Sequence, residues 1–586
     1  MDIVRKCDGL PLAIMVLGGL LSDKRLNTTL AEWKKMLDSV NWHLEYSSDC
    51  QKVLALSYSE LPSHLKPLFL YFGVFPEDTE IDRDRLIRLW VAEGFLEPRG
   101  NLRMEDVGGE CLEELMQRNL IQVATWKPNG VPRSFIIHDL LLNLAISEAK
   151  EGNFLNVFNS QKSLNCYRRE ALQDKCDEEN MADQEASYRS STSMSSSINL
   201  LRSLLCFTEV SPSLYGEFKL LNVLDLEGAP GIKSLLKETG KLIFLKYLSL
   251  RDTGLETLPP WVGNLYNLTL DLYGTEIESL PIEILKLRKL RHLVFDGRNK
   301  MKAFNDSIVR SGIGIYRRPS PHRHIHDLSD LQTLVLPTGD WIENGLEMLT
   351  GLRDLWIIGT AMEKFREALS RALVNLVRLE VIVLIEFGSG EIFFPSLSSH
   401  VYLYDLSICG HIQKLPELHN FPPNLARLRL GGTHLKEDMM VTLEKLSQLK
   451  DHSLYRFTYD GVVMKCHAGG FSKLESLSLQ EFDWLRYWIV EEGAMPNLMI
   501  LEIRGFDRLK WIPGGLRHIT TLQKLTLAMP KEFLERVKEG GKDWEKIKHV
   551  HSINTREEEE IIPEEQLTEY ERKWFTSTGE MIPDDH

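Results

Sequence analysis

A chain of 586 residues is too long to close over one hydrophobic core, so several domains are expected. Its 69 lysines and arginines against 84 aspartates and glutamates leave a formal charge of −15, which argues against a general binder of nucleic acid or anionic membrane. The eight cysteines, at positions 7, 50, 111, 166, 176, 206, 409 and 466, form no C-x-x-C pair and no repeating framework, so they read as free thiols of a reducing compartment.

In chain order, residues 1–45 read as two helices. The first holds Pro11 near its start, where the missing N–H costs nothing. The second carries Trp33, Met36, Leu37 and Val40 at the spacing of a buried stripe. Arg5 and Lys6 ahead of the apolar run Leu10–Leu21 imitate a signal peptide. That run is shorter than the roughly 20 apolar residues a bilayer needs, and no small-residue cleavage site follows. It reads as a buried helix, and no other stretch reaches transmembrane length, so a cytoplasmic protein is expected.

Residues 46–150 predict a helical domain with one hairpin. Helices are expected near 50–59, 63–72, 83–93 and 105–119. The apolar runs 120–123 and 134–137 flank a Lys127-Pro128-Asn129-Gly130 turn, and a last helix starts at His138. Helices followed by a two-stranded wing make a winged-helix arrangement. Residues 82–119 hold six arginines against nine acids, a net of −3, and such a surface does not face phosphates. Residues 151–200 turn polar and serine-rich and are read as a linker or a loose first repeat.

From 201 to 530 one unit recurs. Leu245-Lys246-Tyr247-Leu248-Ser249-Leu250, closing at Leu255 and Leu258-Pro259, follows L-x-x-L-x-L-x-x-T-x-L-x-x-L-P. Copies start at Leu221, Leu290, Leu331, Leu352, Leu425, Leu474, Leu498 and Leu522, with looser ones near Leu376 and Leu403. Most starts lie 21 to 27 residues apart, the period of a leucine-rich repeat. A single unit cannot bury its apolar face, so the copies must stack into an α/β solenoid with one parallel sheet on its concave side. In this reading Leu248, Leu428 and Leu477 are buried, while Lys246, Arg427 and Glu475 between them are exposed.

Two copies are imperfect. In Leu268-Leu270-Leu272 the first gap is one residue short, and His452 stands where a strand leucine belongs. Between Phe295 and Leu331 a segment with Arg317, Arg318, His322, Arg323, His324 and His326 reads as a solvated loop or degenerate repeat, its histidines lacking partners at metal-ligand spacing. Residues 531–586 are expected to cap the array with a charged helix over 531–547 and then fray through an acidic run at 557–560.

Three motifs ahead of the repeats carry a resemblance. Gly9-Leu10-Pro11-Leu12-Ala13 resembles the GLPLA motif of plant NLR immune receptors. Leu68 to Asp78, reading LFLYFGVFPED, is similar to their CFLYFGVFPED segment, and Ile137-His138-Asp139 resembles their MHD motif with Ile for Met. The segment Leu86 to Phe95 is similar to the coiled-coil class of that family. The resemblance implies a multidomain chain: the end of an NB-ARC helical subdomain at 1–45, its winged-helix subdomain of α+β type at 46–150, a linker at 151–200, a leucine-rich-repeat domain at 201–530, and a cap and tail at 531–586. It implies ADP or ATP as cofactor, with Pro11 against the base, His138 at the phosphate and Asp139 holding that turn. It implies a pathogen effector or guarded host protein as partner, together with upstream NB-ARC and coiled-coil segments.

The residues alone give a plainer account of His138-Asp139, as a cap on the following helix. The chain also departs from the family. No G-x-x-x-x-G-K-[ST] occurs, since Gly240-Lys241 is followed by Leu242 and Gly541-Lys542 by Asp543. The expectation is therefore an N-terminally truncated receptor, a partial gene model or a derived short protein, which binds nucleotide weakly by itself. The alternative is a stand-alone repeat scaffold that binds protein without nucleotide switching. No enzymatic constellation and no metal set is found.

Overall fold

Apolar residues at alternate positions of short strands turn toward one side, and parallel pairing sums them into a continuous interior. The computed structural model describes residues 10–22, 49–100, 102–158, 167–173, 201–208, 218–265, 269–295, 325–388 and 390–557. The predicted stripe at Trp33–Val40, Gly9, Leu268, His322 and His324 lie outside them. The chain divides into two compact units, 1–316 and 317–586.

The first unit opens with α1 (Pro11–Ser22) and the winged-helix domain. Its helices are α2 (Asp49–Ser59), α3 (Lys66–Tyr71), α4 (Arg83–Glu93), α5 (Met104–Gln117) and α6 (Asp139–Glu151). The wing strands β2 (Gln122–Trp126) and β3 (Pro132–Ile136) pair antiparallel, and a two-residue β1 (Ile81–Asp82) joins the far edge of β3, an addition the sequence did not announce. The run from Leu68 to Phe75 is buried throughout, which explains why it is apolar without a helical period.

Behind this domain a parallel ladder begins. Its strands are β4 (Asn156–Phe158), β5 (Arg169–Leu172), β6 (Ser203–Cys206), β7 (Val223–Asp225), β8 (Tyr247–Ser249), β9 (Thr269–Asp271) and β10 (His292–Val294). Each pairs in register with the next, so Leu224, Leu248, Leu270 and Leu293 form one buried row. Leu270 and Leu272 are both fully buried, and the short gap in that copy is tolerated. The segment read as a linker contributes β4 and β5, so pairing starts well ahead of residue 201.

The second unit holds a longer ladder: β11 (Thr333–Pro337), β12 (Asp354–Gly359), β13 (Val381–Glu386), β14 (Asp405–Cys409), β15 (Arg427–Gly431) and β16 (Asp451–Leu454). β18 (Ser476–Gln480), β20 (Ile500–Arg504), β21 (Lys524–Met529) and β22 (Ser552–Glu557) continue it. Between them β17 (Val463–Cys466) and β19 (Tyr487–Val490) pair into a separate two-stranded sheet. On its other side the ladder carries α7 (Arg366–Asn375) and short helical turns.

Two expectations need correction here, and a third holds. The charged helix of the cap is only Lys531–Val537, and β22 then adds one more strand, so the ladder outlasts the last leucine repeat. Arg427 and Glu475 are half-buried, because Arg427 bonds Asp405 and Asp451 and Glu475 pairs with Lys450; Lys246 is exposed as read. His452 does take the leucine position, in register with Leu428 and Leu477.

Candidate functional site

Pro11 is the first residue of α1 and is exposed. His138, not Asp139, is the N-cap of α6, its Nδ1 accepting the Leu140 N–H at 3.3 Å. Asp139 lies in the first helical turn, where a carboxylate suits the helix dipole, and both residues are exposed. An Nδ1 that accepts leaves the proton of a neutral imidazole on Nε2, the form that donates to an anion. His138 therefore fits a phosphate contact, and Ile137 is packed in the core where the motif has Met.

A larger constellation, which the sequence did not announce, joins the winged-helix domain to the first ladder. Helix α4 is held at both ends: Asp82 accepts from the Arg85 N–H at 2.8 Å, and Gly94, at φ 78°, closes it in the left-handed region. So fixed, Arg85 reaches Asp225 at 2.8 Å and Glu227 at 3.1 Å, and Arg88 lies 3.8 Å from Asp271. At the other end of the helix Glu93 pairs with Arg169 at 2.9 Å and accepts from Ser203 Oγ. From α5, Glu105 stands 3.1 Å from Arg291 and 3.7 Å from His292.

The partners of α4 belong to the strand positions that point away from the leucine interior. Register places Leu205, Asp225, Ser249 and Asp271 in one such row, with Ser203, Val223, Tyr247 and Thr269 in the next. Ala171, Leu205, Val223 and Tyr247 share a single hydrophobic cluster with the winged-helix core. Around that apolar centre the ion pairs form a ring, and Arg169 stacks over Phe154 and Phe95 at 4.2 and 4.8 Å.

Burial shapes the charges. It works against the Arg85 guanidinium, yet Asp225 and Glu227 more than offset this and hold it protonated. Burial, with Asp225 adding to it, raises the Glu227 carboxyl despite Arg85. Burial alone would raise Glu105 too, but His292 and Arg291 outweigh it and bring that carboxyl down to about 2.

The second ladder turns a different set outward. Val335, Trp356 and Val383 are in register, as are Pro337, Ile358 and Ile385, making one end apolar. Next comes a charged lattice, in which Arg427 bonds Asp451 and Asp405 while Arg429 gives Nη2 to Asp405 and Nε to Ser407. Ser453, Ser478, Glu502, Thr526 and Asn554 continue the row. From Ser476 to Arg504 these outward positions are half-exposed or exposed.

A family model described as the winged helix domain of disease resistance proteins matches residues 74–145, and one described as a leucine-rich repeat region matches residues 200–555. A putative disease resistance protein of Arabidopsis thaliana is 33% identical over 576 residues, covering 94% of this chain and 59% of the relative. Disease resistance protein RPP8 of the same plant is 30% identical over 587 residues, covering 94% and 60%. The chain thus spans about 60% of the length of these relatives. Among solved structures, the leucine-rich-repeat ectodomain of the Arabidopsis receptor kinase HAESA is similar at 17% identity and a TM-score of 0.39, covering 68% of this chain and 67% of that one. Among the described residues no helix is long and apolar enough to cross a membrane.

Proposed function

The chain belongs to the plant disease resistance proteins with leucine-rich repeats, and from that premise we propose that its second ladder recognises a pathogen effector or a guarded host protein in the cytoplasm. The first ladder, in this reading, keeps the winged-helix domain in a resting arrangement. One observation carries the division. Outward residues of the first ladder are spent on the winged-helix domain, whereas those of the second from Ser476 to Arg504 remain accessible.

The chain acts here by binding and catalyses nothing. ADP or ATP, where the switch operates, supplies an anion whose arrival or loss changes the winged-helix position. Pro11 and His138 would contribute a base contact and one hydrogen bond from Nε2, and Asp139 would keep the turn. A charge-assisted bond is worth roughly 1.5–3 kcal/mol, far from the 8 kcal/mol or so of a micromolar site. ADP titrated calorimetrically into the purified chain is therefore expected to bind more weakly than millimolar, and a micromolar constant would show phosphate ligands not named here.

Recognition is tested by split-luciferase complementation between the chain and an effector library. The expected hit loses its signal with Ser476→Arg or Ser478→Arg and keeps it with Met348→Arg or Val374→Arg, which lie off the face. A binder indifferent to the two serines overturns the assignment of that face.

A further inference from the structure

Resting on the reading of the second ladder as the recognition face, we propose the chemistry of its partner: an acidic amphipathic helix. Its apolar side seats on Trp356 and Ile500, and its carboxylates meet Arg429, Lys524 and Arg556.

The first ladder shows what such a face asks of an occupant. Its outward rows are apolar at the centre, through Leu205, Val223 and Tyr247, and charged around it. The occupant is a helix, α4, whose charges are opposite to those beneath: arginines over Asp225 and Asp271, a glutamate over Arg169. Surface and occupant are complementary in both respects, and the carboxylates of these pairs are buried while the arginines keep a small exposed edge.

The second ladder has the same two ingredients with the charge reversed. Its apolar end has Trp356, half-buried and with no partner for the indole N–H among the described residues, flanked in register by the buried Val335 and Val383. Further along, Ile500 is 43% exposed beside Lys524. From β15 to β22 the outward charges are Arg427, Arg429, Arg504, Lys524 and Arg556 against Asp451 and Glu502. Five minus two leaves +3 on one face of a chain whose total is −15.

Not all of that charge is already used. Arg427 is spent on Asp405 and Asp451, and Arg504 on Glu502 at 2.8 Å. Arg429 commits Nε and Nη2 and keeps Nη1. Lys524 and Arg556 are exposed and have no carboxylate partner among the described residues. These are the positions at which an occupant's carboxylates would find a cation not already paired.

A nucleic acid fits the face poorly. The six strands β15 to β22 span about 24 Å at ~4.8 Å per strand, too sparse in cations for a duplex with a phosphate every ~1.7 Å. It would also leave the half-buried Trp356 without an apolar match. From Trp356 to Arg429 is three strand spacings, about 14 Å, which nine or so helical residues cover.

The test titrates the full chain with a fluorescent amphipathic helix of about 26 residues, the length that covers the eight strand spacings from Trp356 to Arg556, with leucines at i, i+3, i+4 and i+7 and glutamates beside them. Its lysine counterpart, polyglutamate and heparin are run in parallel. The acidic amphipath is expected to bind at least tenfold tighter than the lysine peptide or polyglutamate. Trp356→Ala and Arg429→Glu should each weaken it tenfold or more, with Trp356→Phe retaining binding and circular dichroism reporting the fold. Equal binding of the lysine peptide, or no binding of the acidic one, overturns the proposal. Binding of polyglutamate or heparin as tight as the peptide, and indifferent to Trp356, also overturns it, in favour of a plain polyanion surface. The two readings fail separately. An effector whose complementation depends on Ser476 and Ser478 but not on Trp356 or Arg429 leaves the recognition face standing and removes its chemistry. Peptide binding without any face-dependent effector does the reverse.

Discussion

The two ladders are built from one repeat and differ in what lies on their outward side. In the first, Asp225, Tyr247, Ser249 and Asp271 point away from the leucine interior and are nevertheless buried. In the second, Ser478, Glu502 and Arg504 occupy equivalent positions and stay half-exposed. The interior of the repeat specifies the solenoid, and the outward residues specify its company. A leucine-rich array can thus carry a structural joint and a recognition face in a single chain, distinguished only by alternate residues of its strands.

The sharpest way to break that comparison is to delete one arginine from each ladder's outward network. Arg85→Ala strands Asp225, whose side chain is 1% exposed, with its main counter-charge gone. A loss of about 3–5 kcal/mol is expected in denaturant unfolding of the first unit, with faster hydrogen exchange over residues 223–271. Arg504→Ala removes a pair whose partners are 43% and 31% exposed, and should stay within about 0.5 kcal/mol. Replacing the whole set, as Arg85→Met with Asp225→Leu and Glu227→Gln, should recover much of the first loss, since neither carboxylate that Arg85 pairs with is left charged without it. Equal costs for Arg85 and Arg504 would mean that the joint is no drier than the open face.

Sequence alone carried the interior of both ladders, because each strand leucine must turn inward whatever covers the other side. It carried the winged-helix elements too, through the helices expected near 50–59, 63–72, 83–93 and 105–119 and the Lys127-Pro128-Asn129-Gly130 turn, while the cap Asp82 and the terminator Gly94 were seen only in the structure. It could not carry the joint. Arg85 and Asp225 are 140 residues apart, and the partners Glu93 and Arg169 are 76 apart. Counting charges over 82–119 gave an acidic surface, yet Arg85, Arg88, Glu93 and Glu105 within it each have a partner on the ladder. The one local signal was a pair of arginines three apart on a helix that is otherwise a buried stripe. β5 escaped for the same reason: its outward Arg169 looks like linker until Glu93 is placed beneath it. β22 escaped because Ile553 is its one large apolar residue. Pro11, His138 and Asp139 rest on family resemblance, and spacing alone assigned only a helix cap, which the structure gives to His138.

The interiors should not differ between the ladders, which sharpens the contrast from the other side. Leu248→Ala in the first and Leu477→Ala in the second each empty a fully buried site, and each should cost roughly 2–5 kcal/mol by denaturant unfolding. A cost near zero at either would mean that its row collapses without the leucine, and the two arrays would then not be built alike.

His452 gives a small effect at neutral pH and the most informative one. It is fully buried in a leucine row, with Nδ1 3.0 Å from the Leu428 carbonyl and Phe471 stacked at 6.1 Å. A carbonyl only accepts, so Nδ1 carries the proton and Nε2 is left as a bare acceptor, with no partner. His452→Leu gives up one hydrogen bond, worth about 1 kcal/mol, and removes an unsatisfied acceptor worth about 1–3 kcal/mol. The variant should therefore be the more stable by about 1 kcal/mol at pH 7. Burial also lowers the folded-state pKa to about 4, the Leu428 carbonyl pulling the other way. Unfolded histidine titrates near 6.5, so between those values the unfolded chain binds the extra proton and stability falls with falling pH. The penalty is absent above about 6.5 and grows as the pH falls, reaching on the order of 3 kcal/mol near pH 4. The leucine variant lacks that loss, and its advantage should widen from pH 7 to pH 5. A variant less stable than the parent at pH 7, with a gap that stays flat down to pH 5, would mean that Nε2 is satisfied and that the histidine belongs in the row on its own account.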